Sequence, residues 1–504
     1  MTRQKLKRVL GFAPAFGAAV GLVVSGTAMF SVGNLAGTTG YATFIVAAIA
    51  LIPMMAAAFA FGELASMLPG GGMISDYTLP ALGRFWAMFS LLSGYVLLIA
   101  CDGGTQLMMG GASVESITGI PQVVVALTLF VIVVAINVVG VGIYGAVESW
   151  ATVGMVAVFA GLGLCGFFHV GELFGAQPVA GEATLWPEGG APVALGAVGT
   201  AIWFFIGFEF ACPMAEENRK PYRNIPLALI LGLLAIYAVD SVFATAAARY
   251  TDAAVLSTSA VPQIEAAHAM LGSVGSIVMT LLTILASFTT ANSYCAALPR
   301  MLYGMAREGL MPQAFARVSR RFRTPVVGIA FTATLMAVTV AYVSMSGTNA
   351  DTVLSLISVA SITWMISYAI AMIDVLVLRR RYPDFPRLWK APAAKVTLPI
   401  GILGVCYAIW TLSDYWFAAI VAMAVVAVYI LVWMKVKKID MWEKTPIGEM
   451  AESIRETSEY LPEWDEAVEA WIAEHGTGYH AEPAAAAAVA EEGGASQRAG
   501  HDGE

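Results

Sequence analysis

The chain has 504 residues, 59% apolar and only 12% charged, with a formal net charge of −8. Soluble domains carry about a quarter charged residues, so this chain cannot cover a water-facing surface of its size. A soluble enzyme or a nucleic-acid-binding protein is excluded, and a polytopic membrane protein is implied.

Twelve apolar runs are long enough to cross a bilayer: 12–36, 42–68, 86–113, 121–143, 146–168, 193–215, 225–247, 270–297, 325–345, 352–378, 396–415 and 416–436. The basic N-terminus (1–11) runs straight into the first of them without a small-residue cleavage site, which reads as a first helix and not a removed signal. If the N-terminus lies inside and the spans alternate, 26 of the 27 Lys and Arg fall on the inner side, and Arg249 is the exception. Such segregation is what the positive-inside rule demands. It predicts both termini in the cytoplasm and a multi-pass protein of the cell membrane.

The first run is interrupted near its middle by Val24-Ser25-Gly26-Thr27. The third holds Cys101, Asp102 and Thr105, with Cys101 and Thr105 four residues apart on one helical face. The sixth carries Glu209 beside Gly207. A charge at that depth costs at least ~2.5–3.5 kcal/mol on insertion scales, and glycine weakens the helix there. A broken helix lining a site accounts for the pair; a glutamate turned inward to a packing partner is the other reading. Two interrupted spans five helices apart match the inverted repeats of secondary transporters. Asp240 falls in the seventh run. Asp374, five residues before Arg379, reads as half of an interfacial salt bridge.

After the twelfth run the material changes. Residues 440–504 hold 16 of the 35 acidic residues and 3 of the 27 basic ones. Segments 446–460 and 463–475 read as short amphipathic helices, with Ile447, Met450, Ile454 and then Trp464, Val468, Trp471 on one side. The domain division is therefore the transporter body at 12–436, an acidic amphipathic tail at 437–478, and a low-complexity tail at 479–504 expected to be disordered. The amphipathic tail is either a solubilising appendage or an acidic cap on the basic loops.

The five cysteines form no CxxC pair, the five histidines no i, i+4 pair, and no Walker loop or dinucleotide fingerprint is present. No cofactor, metal or enzymatic constellation is expected.

Five passages resemble the amino acid–polyamine–organocation (APC) permeases. They are residues 21–30; the helix 2 exit at 61–72, with Gly62-Glu63-Leu64 and Pro69-Gly70-Gly71-Gly72; Phe205-Ile206-Gly207-Phe208-Glu209 together with 215–226; the helix 8 exit at 299–312, with Arg307-Glu308-Gly309 before Pro312; and Thr324-Pro325. The run Ala201-Ile202-Trp203-Phe204-Phe205 leans toward the ethanolamine and amine permeases of that group. The resemblance implies an all-α fold of twelve helices, a 5+5 inverted repeat with broken helices 1 and 6 plus two additional helices. It also implies a secondary permease moving a small amino acid or amine by alternating access. An amine permease or exchanger is the nearest alternative, and a channel or non-transporting substrate sensor is the alternative of another class. The oligomeric state stays open.

Residue roles follow from the same resemblance. Val24, Ser25, Gly26 and Thr27 would line the break, the main-chain N–H groups of Ser25, Gly26 and Thr27 meeting a carboxylate or hydroxyl, and carbonyls near Trp203 to Gly207 would receive an ammonium. Trp203 would be the aromatic lid. Cys101, Asp102, Thr105, Tyr294 and Ser361, with Trp364, would wall the pocket. Asp102 either pairs with a substrate amine, binds a coupling proton, or bonds a neighbouring helix; Glu209 and Asp102 are the proton-coupling candidates. In sodium-coupled relatives helix 8 hydroxyls such as Ser287, Thr289 and Thr290 hold sodium, but no metal is assigned here. The family usually has glycine where Ser25 and Thr27 stand, so Thr27 adds a methyl and a hydroxyl where backbone is expected to meet substrate. No lysine occurs in 147–170, so the coupling lysine of some relatives is missing.

Overall fold

The computed structural model describes residues 7–140, 144–179, 184–319, 321–322 and 324–479. The low-complexity tail expected to be disordered lies, apart from Tyr479, outside the described residues.

The first span is two helices. α1 (Phe12–Gly21) ends, the chain turns through 22–24, and α2 (Gly26–Thr39) starts from an extended Ser25 whose hydroxyl accepts the Ala28 N–H (3.1 Å). A serine N-cap satisfies one of the donors that a new helix start exposes. α3 (Thr43–Met67) is the second span. α4 (Ile74–Leu82) is a short helix on the connecting loop, after which α5 (Arg84–Leu91) enters the third span. That span does not continue as a plain α-helix. Two π-turns, Leu92–Val96 and Ile99–Gly103, come before α6 (Gly104–Thr118). Such turns rotate the side chains that follow and gather at functional positions. Gly104 lets this span close on the ninth: a Cβ there would stand 2.5 Å from the Met336 carbonyl oxygen and the Val340 nitrogen.

α7 (Gln122–Val139) and α8 (Tyr144–Phe167) are spans four and five. The sixth is broken like the first. α9 (Ala191–Gly196) and α10 (Val198–Ile202) lead into turns at 203–207, Gly207 takes φ +109°, and a 3₁₀ segment (Phe208–Glu216) completes the crossing. α11 (Pro221–Tyr250) is span seven, and α12 (Ala253–Thr258) lies on the loop after it. α13 (Pro262–Arg307) bends at Leu271–Gly272 and supplies span eight. α14 (Val326–Ser346), α15 (Ala350–Arg381), α16 (Ala394–Thr411) and α17 (Trp416–Lys437) are spans nine to twelve.

Nine helical stretches among the described residues are long and apolar enough to cross a membrane, one of them running from α2 through α3. The two split spans and α8 bring the crossings to twelve. The breaks fall at counterpart positions of two inverted five-span repeats, with α16 and α17 added outside. α7 and α17 face outward: only 11% and 17% of their apolar windows are buried. The first, third, sixth, eighth and tenth spans bury their polar side chains inward.

One buried charge group fixes the basic end. Glu63, fully buried in α3, receives Arg379 (Nε to Oε1, 2.8 Å), the Ala391 N–H (2.7 Å) and Arg387 (3.3 Å). The expected pairing of Asp374 with Arg379 is therefore corrected: Asp374 instead accepts the Thr78 hydroxyl (2.7 Å). A carboxylate facing two guanidiniums is better compensated in lipid than one i, i+5 neighbour permits.

The amphipathic tail folds onto this same end as α18 (Ile447–Thr457) and α19 (Pro462–His475). Ile447, Met450, Ile454, Trp464, Val468 and Trp471 are buried, and the Trp464 indole donates to the Met67 carbonyl (2.9 Å). Arg8 ties the N-terminus to the end of the sixth span and to the tail, donating to the carbonyls of Ala215 (2.8 Å), Asn218 (3.1 Å) and Glu459 (2.9 Å). The Thr457 hydroxyl of α18 donates to the Glu216 carboxylate at the end of the sixth span (3.4 Å).

Candidate functional site

The two breaks touch. A Cβ on Gly207 would stand 2.5 Å from Leu22 Cδ2, so the turn of the sixth span is seated directly on the turn of the first. The positive φ at Gly207 is one that side-chain-bearing residues adopt only with strain. The Trp203 indole, at the C-terminal end of α10, donates across the gap to Thr27 Oγ1 (3.2 Å).

Around Thr27 lies a buried polar cluster drawn from four spans. Thr27 Oγ1 donates to Asp102 Oδ1 (2.9 Å) and accepts from Gln106 Nε2 (2.6 Å). Asp102 Oδ2 accepts from Gln106 Nε2 (2.9 Å) and from the Tyr294 hydroxyl (2.7 Å). Asp102, Thr27 and Gln106 are fully buried and Tyr294 is 2% exposed. Three donors around one carboxylate offset much of the cost of burying its charge. The same contacts link the first, third, sixth and eighth spans.

A second cluster surrounds Glu209, two residues beyond Gly207. Its Oε1 accepts from the Tyr95 hydroxyl (3.0 Å) and the Trp364 indole (2.9 Å), and its Oε2 from the Tyr368 hydroxyl (2.5 Å). Tyr368 also accepts the Gly207 N–H (3.2 Å), so one phenol holds both the turn and its carboxylate. Tyr95, Phe210 and Trp364 pack ring to ring beside it, with centroids 5.4–5.9 Å apart. Glu209 is completely buried. Like Asp102, it is surrounded by donors without a cationic partner among the described residues.

Of the residues expected at the site, Val24, Ser25, Gly26, Thr27, Asp102, Trp203, Gly207 and Tyr294 come together at the touching breaks, and Glu209 sits just past the second of them. The amides expected to be open are mostly engaged. That of Ser25 donates to Val23 O (2.9 Å) and that of Thr27 to Gln106 Oε1 (3.3 Å); the Gly26 amide has no partner among the described residues. Cys101 and Thr105 lie beside the cluster. Cys101 is half-buried, and the Thr105 hydroxyl donates back to the Cys101 carbonyl (2.7 Å). The face of the third span that reaches Thr27 and Tyr294 carries Asp102 and Gln106. Ser361 is buried on α15, three residues before Trp364. On α13, Thr289 spends its hydroxyl on the carbonyls of Leu285 and Ala286, whereas the buried Ser287 and Thr290 hydroxyls have no partner among the described residues.

Gln106, Tyr95 and Tyr368 were not anticipated. Gln106 had a visible signal, a second polar residue four positions after Asp102 in an apolar run. The tyrosines had none, since tyrosine is ordinary in membrane helices.

Comparison with known proteins agrees with this architecture. The chain is 25% identical to the branched-chain amino acid permease BcaP of Bacillus subtilis, covering 79% of this chain and 87% of the relative. It is 26% identical to the L-asparagine permease of Streptomyces coelicolor (78% and 84%) and 23% identical to the putrescine transporter PotE of Haemophilus influenzae (75% and 84%). Among solved structures, the manganese transporter of Eremococcus coleocola superposes with a TM-score of 0.52 at 12% identity, covering 87% of this chain and 99% of that one, a likeness of fold alone. A family model described as amino acid permease matches residues 10–439. The chain, a multi-pass membrane permease for amino acids or amines, belongs to that amino acid permease family.

Proposed function

We propose that this permease works in the cytoplasmic membrane with both termini in the cytoplasm, and that its solute, a small amino acid or amine, binds where the two broken spans meet. Val24, Ser25, Gly26, Thr27, Asp102, Trp203, Gly207 and Tyr294 form the wall of that site. The single observation that carries the reading is the contact of Gly207 with Leu22, bridged by the Trp203–Thr27 hydrogen bond. Unwound backbone in lipid is tolerated only where protein or a solute satisfies it, and two such stretches in contact bring the polar backbone groups of both breaks to one place. The concentration of 26 of 27 Lys and Arg on one side supports the orientation.

Alternating access follows from the same geometry. The sixth span is tied to the tenth through Glu209 and Tyr368, and to the first through Trp203. Rocking of spans 1 and 6 must exchange those bonds, and Glu209 gives up its donors most cheaply when it is protonated. Glu209 is therefore the proposed coupling group, with Asp102 as the second.

Counterflow in proteoliposomes tests this. The expected result is trans-stimulated exchange of a labelled solute, with a pH dependence that Glu209→Gln flattens, and uptake lowered about ten-fold or more by loss of charge-assisted hydrogen bonds. Conductance without counterflow would overturn the carrier. An unchanged pH profile in the variant would remove the proton role.

A further inference from the structure

The start of α2 is the place where a solute carboxylate was expected, and protein groups already stand there. The Thr27 N–H is taken by Gln106 Oε1 (3.3 Å), and the Ala28 N–H by the Ser25 hydroxyl (3.1 Å). The Thr27 hydroxyl meets Asp102 Oδ1 (2.9 Å). The start of the helix is thus met by Ser25 and Gln106, and the Asp102 carboxylate delivered by the third span is held beside it by the Thr27 hydroxyl.

Resting on the reading that the solute binds at the touching breaks, we propose that it is a primary amine lacking a carboxylate, its ammonium received by Asp102.

Charge and valence both point this way. A carboxylate has about four lone-pair sites, and Thr27, Gln106 and Tyr294 fill three of those on Asp102. One acceptor direction remains for an ammonium N–H. A second carboxylate brought into this buried site would meet Asp102 as a like charge, with the Gly26 amide as the one unengaged main-chain donor among the three expected to receive it. Trp203 and Tyr294 border the cluster through their ring edges, the indole N–H spent on Thr27 and the phenol O–H on Asp102, so neither offers a free donor to a second carboxylate. The Thr27 side chain builds this arrangement: its hydroxyl is the joint between helix start and carboxylate, and a glycine there would leave the backbone bare.

The test is counterflow competition with the full-length protein in proteoliposomes at one pH, using matched pairs that differ only by a carboxylate: ethanolamine against serine, putrescine against ornithine, isobutylamine against valine. The expected result is that, in the pair matching the side-chain pocket, the amine competes at a concentration about ten-fold or more below its amino acid. Equal competition within that pair, or preference for the amino acid, overturns the proposal while leaving the carrier intact. Absence of counterflow with every compound, from protein that elutes as a folded species, overturns the carrier reading and this proposal with it. Asp102→Asn is expected to weaken amine competition about ten-fold; an Asn variant that keeps the amine preference also overturns it. If that variant does not fold, the wild-type ratio decides alone.

Discussion

Tyr368 is the residue on which the sixth span turns. Its hydroxyl accepts the Gly207 N–H and donates to Glu209 Oε2, so it serves the break and the buried carboxylate at once. Tyr368→Phe keeps the ring that packs against Phe61 and Phe208 but removes both bonds. Leaving a buried amide short of its acceptor and a carboxylate short of a donor costs about 1–3 kcal/mol. The expected outcome is a lower melting temperature in detergent together with transport reduced further than stability alone explains; unchanged melting and transport would show that neither bond matters. This residue was illegible in the sequence, and the reason is physical. An acidic side chain in an apolar run announces itself by its cost, so Asp102 and Glu209 stood out. A tyrosine costs little in a span, and its partner is chosen only when α15 docks. Arg379 failed differently: sequence proximity favoured Asp374, but tertiary packing brought Glu63 to it with better geometry.

At the scale of elements, the interruptions were legible because they are written in backbone chemistry. Ser25 is an N-cap by type, and Gly207 takes a conformation that suits glycine. The π-turns of the third span were not legible, since their sequence is as helix-compatible as its surroundings. Reading by i, i+4 faces paired Cys101 with Thr105; the structure presents the neighbouring i, i+4 pair, Asp102 and Gln106, to the first span. Gly207→Ala tests the broken element directly. The added methyl meets strain from φ +109° and a steric conflict with Leu22, 2.5 Å away. A cost of about 1 kcal/mol or more is expected from the backbone alone, with loss of counterflow exceeding loss of folded protein, because the methyl displaces the Leu22 side chain that packs between the two unwound stretches. Gly40→Ala is the control: Gly40 also has positive φ, but nothing lies within 4 Å of its Cβ position. It should share the backbone cost and keep transport. If both variants transport equally well, contact between the breaks is not what the carrier depends on.

For the whole molecule, the acidic tail is part of the packed body and not an appendage. Its apolar stripe was visible as Ile447, Met450, Ile454, Trp464, Val468 and Trp471. Whether the tail was a solubilising appendage or a cap on the basic loops stayed open, because one-sided apolarity says that a helix docks and not where. The structure supplies the place: Trp464 donates to Met67 at the end of α3, Trp471 meets Phe385 edge to face (centroids 5.1 Å apart), and Ile454 approaches Gly70. The charges alone would not hold it. The Arg84–Glu443 ion pair is partly exposed, with side-chain accessibilities of 30% and 53%, and pairs of that kind contribute ~1 kcal/mol or less. The apolar anchors therefore decide. Truncating a buried tryptophan costs about 3–5 kcal/mol, more than a short two-helix segment can spare. Trp464→Ala should release α18 and α19 while the twelve spans stay assembled. Limited proteolysis of the purified protein is expected to cut between residues 438 and 461 at least about ten-fold faster in the variant, with the transmembrane core resistant in both. Raising the salt concentration should accelerate wild-type cleavage only slightly, since screening touches the ion pairs and not the apolar anchors. A wild-type tail that salt frees as fully as Trp464→Ala does would reverse that ranking and make charge the force that seats it.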